Sequence, residues 1–441
     1  MTVSNRIRIT AALALPVIIE NILQIVIGVV DLYFVGRLGT DAIAAVGLTN
    51  LIMSLLIAVF SALSIGAGAM AARYIGAGEP SKLGIAIKHF ALLGLLVGLF
   101  AAVCALLFLR FLLPAFSASE QMLAEAIPYF SIVAIPSVIL CLTMLAGSIV
   151  RATGDTVTPM KIGLWSNILN IILTWTLVFG VFDLGIFGVG LGTTLARLIG
   201  LLLYIRVFIT RPDVFQFSFS GSWTVQNDLM SRILKLSLPA GIERLIMRTG
   251  QLAYGYLIIQ IGVEAYAAHN VAGNIESFSY LPGIGFGAAG AVLIGQQLGA
   301  RQAEEARRFG NFAYLLGTGL MILIAFFFYM MAPQLAAIFS DDALVISQTV
   351  TVLRIIAFFQ PFLAMTLITV ALLQGAGDTR FPMYTTFFGI YVVRLIGTYV
   401  FGIMMGYGLT GVWAAYALDV TIRGTILMVR WQKGHWQNIA I

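Results

Sequence analysis

The sequence predicts an all-α membrane protein with twelve transmembrane helices, arranged as two six-helix bundles related by a pseudo-two-fold axis along the membrane normal. Three observations lead to this fold class. The chain of 441 residues is 60% hydrophobic and 10% charged, with a mean hydropathy of +0.99, which excludes a soluble globular protein. Its apolar runs are long enough to cross a bilayer. Their pattern also occurs twice along the chain.

Gly, Pro and charged residues divide the apolar runs into twelve predicted spans. The predicted spans cover residues 9–36, 42–76, 84–113, 122–149, 160–181, 186–210, 231–261, 264–299, 307–333, 344–373, 382–406 and 408–430. The first run is flanked by Arg6 and Arg8 and lacks a small-residue cleavage site, so we predict a transmembrane helix rather than a removed signal peptide. Both cysteines, Cys104 and Cys141, lie in apolar spans, which indicates neither a disulfide framework nor a zinc site.

The basic residues alternate from one connection to the next. On the predicted topology, 18 of the 25 Lys and Arg residues lie on the side that carries the N-terminus, whereas the opposite side has Arg37 and Arg110. Because cytoplasmic loops carry the excess of Lys and Arg, both termini are predicted to be cytoplasmic. The net charge of +6 comes from short loops rather than from one basic face, so it gives no indication of a nucleic acid partner.

One offset of 223 residues relates the first half of the sequence to the second. ALPVIIE, around Pro16, becomes SLPAGIE, around Pro239, and RATGDTVTPM (151–160) becomes QGAGDTRFPM (374–383). Because each half has an even number of spans, both halves insert the same way up, which predicts the pseudo-two-fold axis and a cleft between the halves. The predicted parts are a first lobe (1–205), a cytoplasmic linker (206–230) and a second lobe (231–441).

The first span contains an acidic residue, Asp31, inside its apolar run. At ~100° per residue, Asp31 lies about 20° and Gln24 about 40° round the helix from Glu20, so the three side chains point one way. An ionisable residue near the middle of a span costs ~2.5–3.5 kcal/mol on insertion scales and normally faces a protein interior or a watery cavity. We therefore predict that Asp31 titrates or binds a cation on a transport pathway. The alternative is a structural carboxylate. Pro16, about four turns earlier, is a predicted hinge.

A second one-sided polar stripe lies in the fifth span, where Asn167, Asn170 and Thr174 recur at helical spacing. Amides can bond a carboxylic acid or complete an oxygen cage round a cation. The alternative is that they only hold helices together. The second half lacks the acid, because Asp31 plus 223 is Tyr254.

Enzyme motifs are absent from the sequence. It contains no Walker-type loop, no Gly-rich dinucleotide turn, no Ser-His-Asp arrangement and no histidines at metal-ligand spacing. We therefore predict no enzymatic activity and no cofactor. A pump that does not use ATP must couple to an ion gradient.

Three sequence segments together resemble one family. VDLYFVGRLGTDAIAAVGL (30–48), RATGDTVTPM (151–160) and QGAGDTRFPM (374–383) resemble the MATE family of multidrug and toxic-compound extrusion transporters, and the chain is most similar to its DinF-like prokaryotic branch. The resemblance covers essentially the whole chain. It implies a V-shaped pair of bundles, alternating access, and export of bulky, often cationic compounds in exchange for protons or sodium.

The resemblance also implies roles for particular residues. Asp31 matches the first-helix acid of that branch, and Pro16 matches the proline at which that helix is held to bend. Gln24, Asn170 and Thr193 match polar residues that line the first-half cavity.

Two departures from the family pattern favour a proton over sodium as the coupling ion. The chain has Thr174 where some relatives carry a second acid, and it lacks the seventh-span acid of the NorM-like branch. The prediction is a drug/proton antiporter in which Asp31, Asn170 and Thr174 form the coupling site. The predicted substrate contacts are Gln24, Asp31, Asn167, Asn170, Thr193, Tyr254 and Met247.

The predicted setting is the cytoplasmic membrane of a prokaryote, where a monomer surrounded by lipids exports small lipophilic, often cationic drugs. Three alternatives stay open at this point. The first is sodium coupling. The second is a lipid-linked oligosaccharide flippase of the same superfamily, for which Arg244, Arg248 and Arg394 would supply a cationic cleft. The third is a membrane-embedded enzyme.

Overall fold

A computed structural model describes residues 2–116, 119–180, 182–218 and 223–439, and every regular element in these ranges is a helix. The α-helices are α1 (Val3–Gly36), α2 (Thr40–Gly76), α3 (Pro80–Leu107), α4 (Leu113–Phe116), α5 (Glu120–Ala134), α6 (Ser137–Ala152), α7 (Val157–Phe179), α8 (Gly185–Thr210), α9 (Pro212–Phe215), α10 (Asn227–Ile259), α11 (Val263–Ser277), α12 (Tyr280–Gly299), α13 (Ala303–Phe339), α14 (Ala343–Gly375), α15 (Arg380–Phe387) and α16 (Gly408–Lys433). Phe108–Leu112, Phe388–Leu395 and Thr398–Met404 are π-helical, and His435–Asn438 is a 3₁₀-helix. The predicted all-α class is confirmed.

Ten helical segments within the described residues are each long and apolar enough to cross a membrane, and the pair α5 and α6 makes an eleventh. This pair is bent by 41° at Ile135 and Pro136, because a proline lacks the N–H that would continue the helix and restricts the residue before it. The predicted span 231–261 corresponds to α10, which carries Glu243, Arg244 and Arg248 and is not among the ten. The predicted span 264–299 is divided into α11 and α12.

The chain forms two compact units, which we call the first unit (Ile19–Ser237) and the second unit (Met1–Ile18 with Leu238–Ile441). The first has its own core round Phe130, Val133 and Val189, and the second has a core of its own that includes Ile258 and Leu372. Both divisions fall inside a helix next to a proline of the repeat. The first falls in α1 just after Pro16, and the second falls in α10 just before Pro239.

The described part of the predicted linker, 206–218 and 223–230, belongs to the first unit and packs on α3. Residues 219–222 of that predicted linker lie outside the described residues. Phe215 is fully buried, and the Phe215 and Gln216 carbonyls lie where only a glycine, Gly84, leaves room. Farther along, the backbone N–H of Gln226 donates to His89 Nε2 over 2.9 Å. The other ring nitrogen of His89 then donates to the Ile85 carbonyl, also at 2.9 Å.

Small residues allow helices of one unit to approach closely. In the second unit, Gly375 at the end of α14 meets the backbone of Ala291 in α12, where a Cβ atom would overlap Ala291 Cα. Such contacts replace the hydrophobic driving force that helix association lacks inside a lipid bilayer.

We predict that Gly375→Ala lowers the thermal stability of the purified protein, because the new methyl group has to displace the backbone of Ala291. Overpacking of this kind costs about 1–3 kcal/mol. Gly319→Ala is the control, since a Cβ built there meets nothing within 4 Å apart from its chain neighbours and the backbone of its own helix. The control should be neutral or slightly stabilising. Equal melting temperatures for the two variants in detergent would contradict the prediction.

Candidate functional site

Two contacts define the register of α1 against α7 in the first unit. Glu20 Cγ lies 3.7 Å from the position of a Cβ at Gly163, and the Phe34 and Phe179 ring centroids are 5.8 Å apart. Because both residue numbers increase together, the two helices run parallel. Asp31 is therefore level with the turn of α7 that carries Thr174.

The polar residues predicted in the fifth span are brought together with Thr193 of α8. Asn170 is buried, and its Nδ2 donates to Thr193 Oγ1 over 3.1 Å. Thr174, one turn later, is fully buried against Gly192, where a Cβ would lie 2.6 Å from Thr174 Oγ1. Asn167 is half-buried. The two helices thus place the predicted amide and hydroxyl groups on one face of the first unit.

Three oxygens of this region are buried and have no hydrogen-bond partner among the described residues. They are Asp31 Oδ1, Asn170 Oδ1 and Thr174 Oγ1. A buried acceptor without a partner costs about 1–3 kcal/mol, so such groups are rare unless a proton donor, water or ion completes them. These three oxygens could be satisfied by protonation of the Asp31 carboxylate or by binding of a small cation.

Two further residues of this site were not predicted from the sequence, Arg197 in α8 and Tyr129 in α5. The Arg197 guanidinium interacts electrostatically with Asp31 and with the Tyr129 hydroxyl. Arg197 is the only charged residue between Gly185 and Tyr204, and this isolation within an apolar run was the signal that could have identified it. Tyr129 gives no such signal in the sequence.

The remaining predicted residues lie elsewhere. Gln24 is exposed on α1. Tyr254 is buried in the core of the second unit, where its hydroxyl donates to the Val412 carbonyl over 3.2 Å. Met247 is half-buried, also in the second unit. The substrate contacts predicted for these three residues stay predictions.

Glu20, which shares the polar stripe with Asp31 in the sequence, has a partner of its own. Arg151 Nη1 lies 3.3 Å from each Glu20 carboxylate oxygen. At the repeat-related positions of the second unit, Gln374 donates to Glu243 over 2.7 Å. This contact therefore recurs in both units, which indicates a structural role for it.

The repeated Gly-Asp-Thr turns fasten helices together. Gly154 (φ +87°) and Gly377 (φ +93°) take the left-handed conformation that favours glycine. In the first unit, Asp155 then accepts from Arg211 at 2.6 Å, just after α8. In the second unit, Asp378 accepts from Arg430 in the last turn of α16 at 2.9 Å.

The interior charges of the second unit include a compact ion-pair cluster. Asp419 Oδ2 accepts from Arg394 at 2.6 Å and from Arg423 at 3.0 Å, and all three side chains are buried. Ion pairing within the unit accounts for these three interior charges. The Arg394 guanidinium also lies 4.4 Å from the centre of the Tyr416 ring, whose hydroxyl donates to Glu276.

Residues 16–176 and 239–400 each match the MatE family, and the chain belongs to this family of membrane transporters. It is a transporter rather than an enzyme. The two matched ranges correspond to the two halves of the repeat.

Relatives and solved structures agree with this assignment over nearly the whole length. The chain is 28% identical to a probable multidrug resistance protein NorM of Thermotoga maritima, over 97% of this chain and 93% of the relative. A structure described as the outward-facing conformation of a multidrug resistance MATE family transporter of the MOP superfamily has a TM-score of 0.91 at 21% identity, covering 99% and 97%. The structure of the Vibrio cholerae MATE transporter VcmN in the bent form also has a TM-score of 0.91 at 21% identity, over 98% of this chain and 97% of that chain.

We predict that Asp155→Ala destabilises the protein by about 1 kcal/mol, the usual cost of losing a capping carboxylate. Burial acts to raise the pKa of Asp155, but the Thr158 hydroxyl, the Thr158 N–H and Arg211 together hold it below its ordinary value. The ionised Asp155 therefore stabilises the fold fully above about pH 4, the ordinary pKa of an aspartate. This stabilisation is lost as the pH falls further and the carboxylate is protonated.

The measurement is the melting temperature of both proteins in detergent between pH 3 and pH 7, a range chosen about the ordinary pKa of aspartate. Asp213→Ala, at an exposed position in α9, is the control and should leave the melting temperature unchanged. A difference between Asp155→Ala and the unsubstituted protein that stays constant down to the lowest pH would contradict the prediction.

Proposed function

We propose that this chain exports lipophilic, often cationic compounds in exchange for protons, with Asp31 as the coupling carboxylate. The observation that carries the proposal is the buried Asp31 Oδ1, which has no hydrogen-bond partner among the described residues. The carboxylate is level with Thr174, one helical turn from the hydrogen-bonded pair Asn170 and Thr193. The names of relatives, which include a multidrug resistance protein, support a drug-like substrate.

Protonation of Asp31 is the proposed two-state step. The neutral carboxylic acid can donate to an oxygen such as Asn170 Oδ1 or Thr174 Oγ1, each of which is buried without a partner among the described residues. The ionised carboxylate cannot donate and instead attracts a cationic compound. Proton and drug therefore compete for one group, and this competition makes the exchange obligatory.

Sodium coupling is the second candidate, because the same three unpartnered oxygens could also bind a small cation. An oxygen cage with a single carboxylate carries less charge than most cation sites, and we therefore favour the proton. The proposed location is a prokaryotic cytoplasmic membrane with both termini in the cytoplasm.

The coupling ion can be tested with proteoliposomes in which the pH gradient and the sodium gradient are imposed separately. We expect a pH gradient, acidic on the side that corresponds to the cell exterior, to drive transport of a lipophilic cation without sodium. Transport that follows sodium and ignores pH would contradict this expectation.

We predict that Asp31→Asn reduces proton-driven export to the level of empty liposomes, while insertion and thermal stability are retained. Asparagine has nearly the shape of the protonated acid and keeps its hydrogen-bonding capacity, but it cannot release a proton. Asp41→Asn, an exposed acid at the start of α2, is the matched control and should export normally. Robust proton-coupled export by Asp31→Asn would show that Asp31 is structural.

We also predict that Pro16→Ala slows turnover several-fold and changes drug affinity less. Pro16 lies inside the continuous helix α1, and the substitution returns an N–H donor there and so removes the proposed bend point. Pro333→Ala is the control, because Pro333 is an exposed proline inside α13. Turnover and the dissociation constant are measured on the same preparations, and unchanged turnover in a folded Pro16→Ala protein would exclude a hinge there.

A further inference from the structure

Arg197 lies near the middle of α8, a helix that is long and apolar enough to cross the membrane. Its side chain is half-buried. Among the described residues, no carboxylate lies within the 4.0 Å of Arg197 that would make an ion pair, whereas Arg394 and Arg423 in the second unit both pair with Asp419. A charged group at this depth is costly and is normally retained for a functional reason.

The helix geometry places Arg197 on the polar face of the first unit. Thr193, one turn earlier in α8, accepts the hydrogen bond from Asn170 of α7. Gly200, just under one turn later, meets Ser166 of α7, with its Cβ position 2.8 Å from Ser166 Oγ. Arg197 is therefore level with the α7 segment between Ser166 and Asn170, which contains Asn167.

The charge of Arg197 acts on the coupling carboxylate without a direct bond between them. Asp31 and the Tyr129 hydroxyl are the groups with which the guanidinium interacts electrostatically. A guanidinium that served only to neutralise Asp31 would gain most from a two-point contact with it, and the described residues show none. The region thus contains a hydrogen-bond acceptor, the Asp31 carboxylate, and a hydrogen-bond donor, the Arg197 guanidinium, that interact electrostatically but do not form an ion pair.

We propose that Arg197 binds a carboxylate of the transported compound, so that the preferred substrates are lipophilic zwitterions rather than simple cations. This inference rests on the proposed export function. The ammonium group of such a compound would interact with Asp31, and its carboxylate would take the planar, two-point geometry that a guanidinium offers. Tyr129 contributes a hydroxyl near both charges.

The experiment compares two probes that differ in one charge, a lipophilic amine that carries a carboxylate and the methyl ester of the same compound. Export of each is measured in proteoliposomes under a pH gradient. For Arg197→Gln, we expect the concentration for half-maximal export of the acid to rise by about tenfold or more, with the ester changed by less than about twofold. Arg197→Lys, which keeps the charge but not the planar geometry, should give a smaller loss for the acid.

Arg206→Gln is the matched control, because Arg206 is exposed on the same helix nine residues later. It should leave the export of both probes unchanged. Equal loss of acid and ester export in Arg197→Gln would overturn the proposal, since that result means that Arg197 acts through Asp31 or through folding.

Binding of the two probes to purified protein separates this inference from the proposed function. If the unsubstituted protein exports neither probe under a pH gradient, proton-coupled export fails. The inference about Arg197 then depends on whether Arg197→Gln weakens binding of the acid alone. Binding of acid and ester that the substitution affects equally would overturn it.

Discussion

The absence of water inside a bilayer is the constraint on which the rest of this structure depends. Backbone groups meet it by forming helices, and charged side chains meet it by finding partners within the protein. In the second unit, Asp419 pairs with two arginines, and Glu243 accepts hydrogen bonds from Gln374 and Thr386. In the first unit, Asp31 Oδ1 has no hydrogen-bond partner and Arg197 forms no ion pair among the described residues. These two charged groups are the ones that we propose take part in transport.

The two halves share a scaffold but differ in chemistry. Both contain the Gly-Asp-Thr turn that joins an aspartate to an arginine at the end of the last helix of the half. At the position that matches Asp31, the second half has Tyr254, whose hydroxyl bonds a backbone carbonyl inside a core. The two halves therefore share this turn, whereas only the first half has an acid at the repeat position of Asp31.

Much of the fold could be predicted because hydropathy, basic loops and the 223-residue repeat are properties of the chain itself. Asn170 and Thr174 could be predicted from their spacing on one helix, and their grouping with Thr193 came from the family resemblance. Tyr129 and Arg197 could not be paired with Asp31 in the same way, because their proximity depends on contacts between helices that no spacing encodes. The hydrogen bond from Gln226 to His89 could likewise not be predicted, because no motif or spacing relates the two residues in the sequence.

The π-helical segments after α15 affect how the two halves can be compared. Counted along the chain, 26 residues separate Met160 from Ile186 and 26 also separate Met383 from Leu409. In the first half this stretch is mostly regular α-helix, whereas in the second it contains Phe388–Leu395 and Thr398–Met404 in the wider π geometry. A wider helix advances less and turns less per residue, so side chains at equal offsets diverge in direction. Within this stretch, residues that share the repeat offset therefore do not share a side-chain direction, whereas the offset still relates the turns and helix ends outside it.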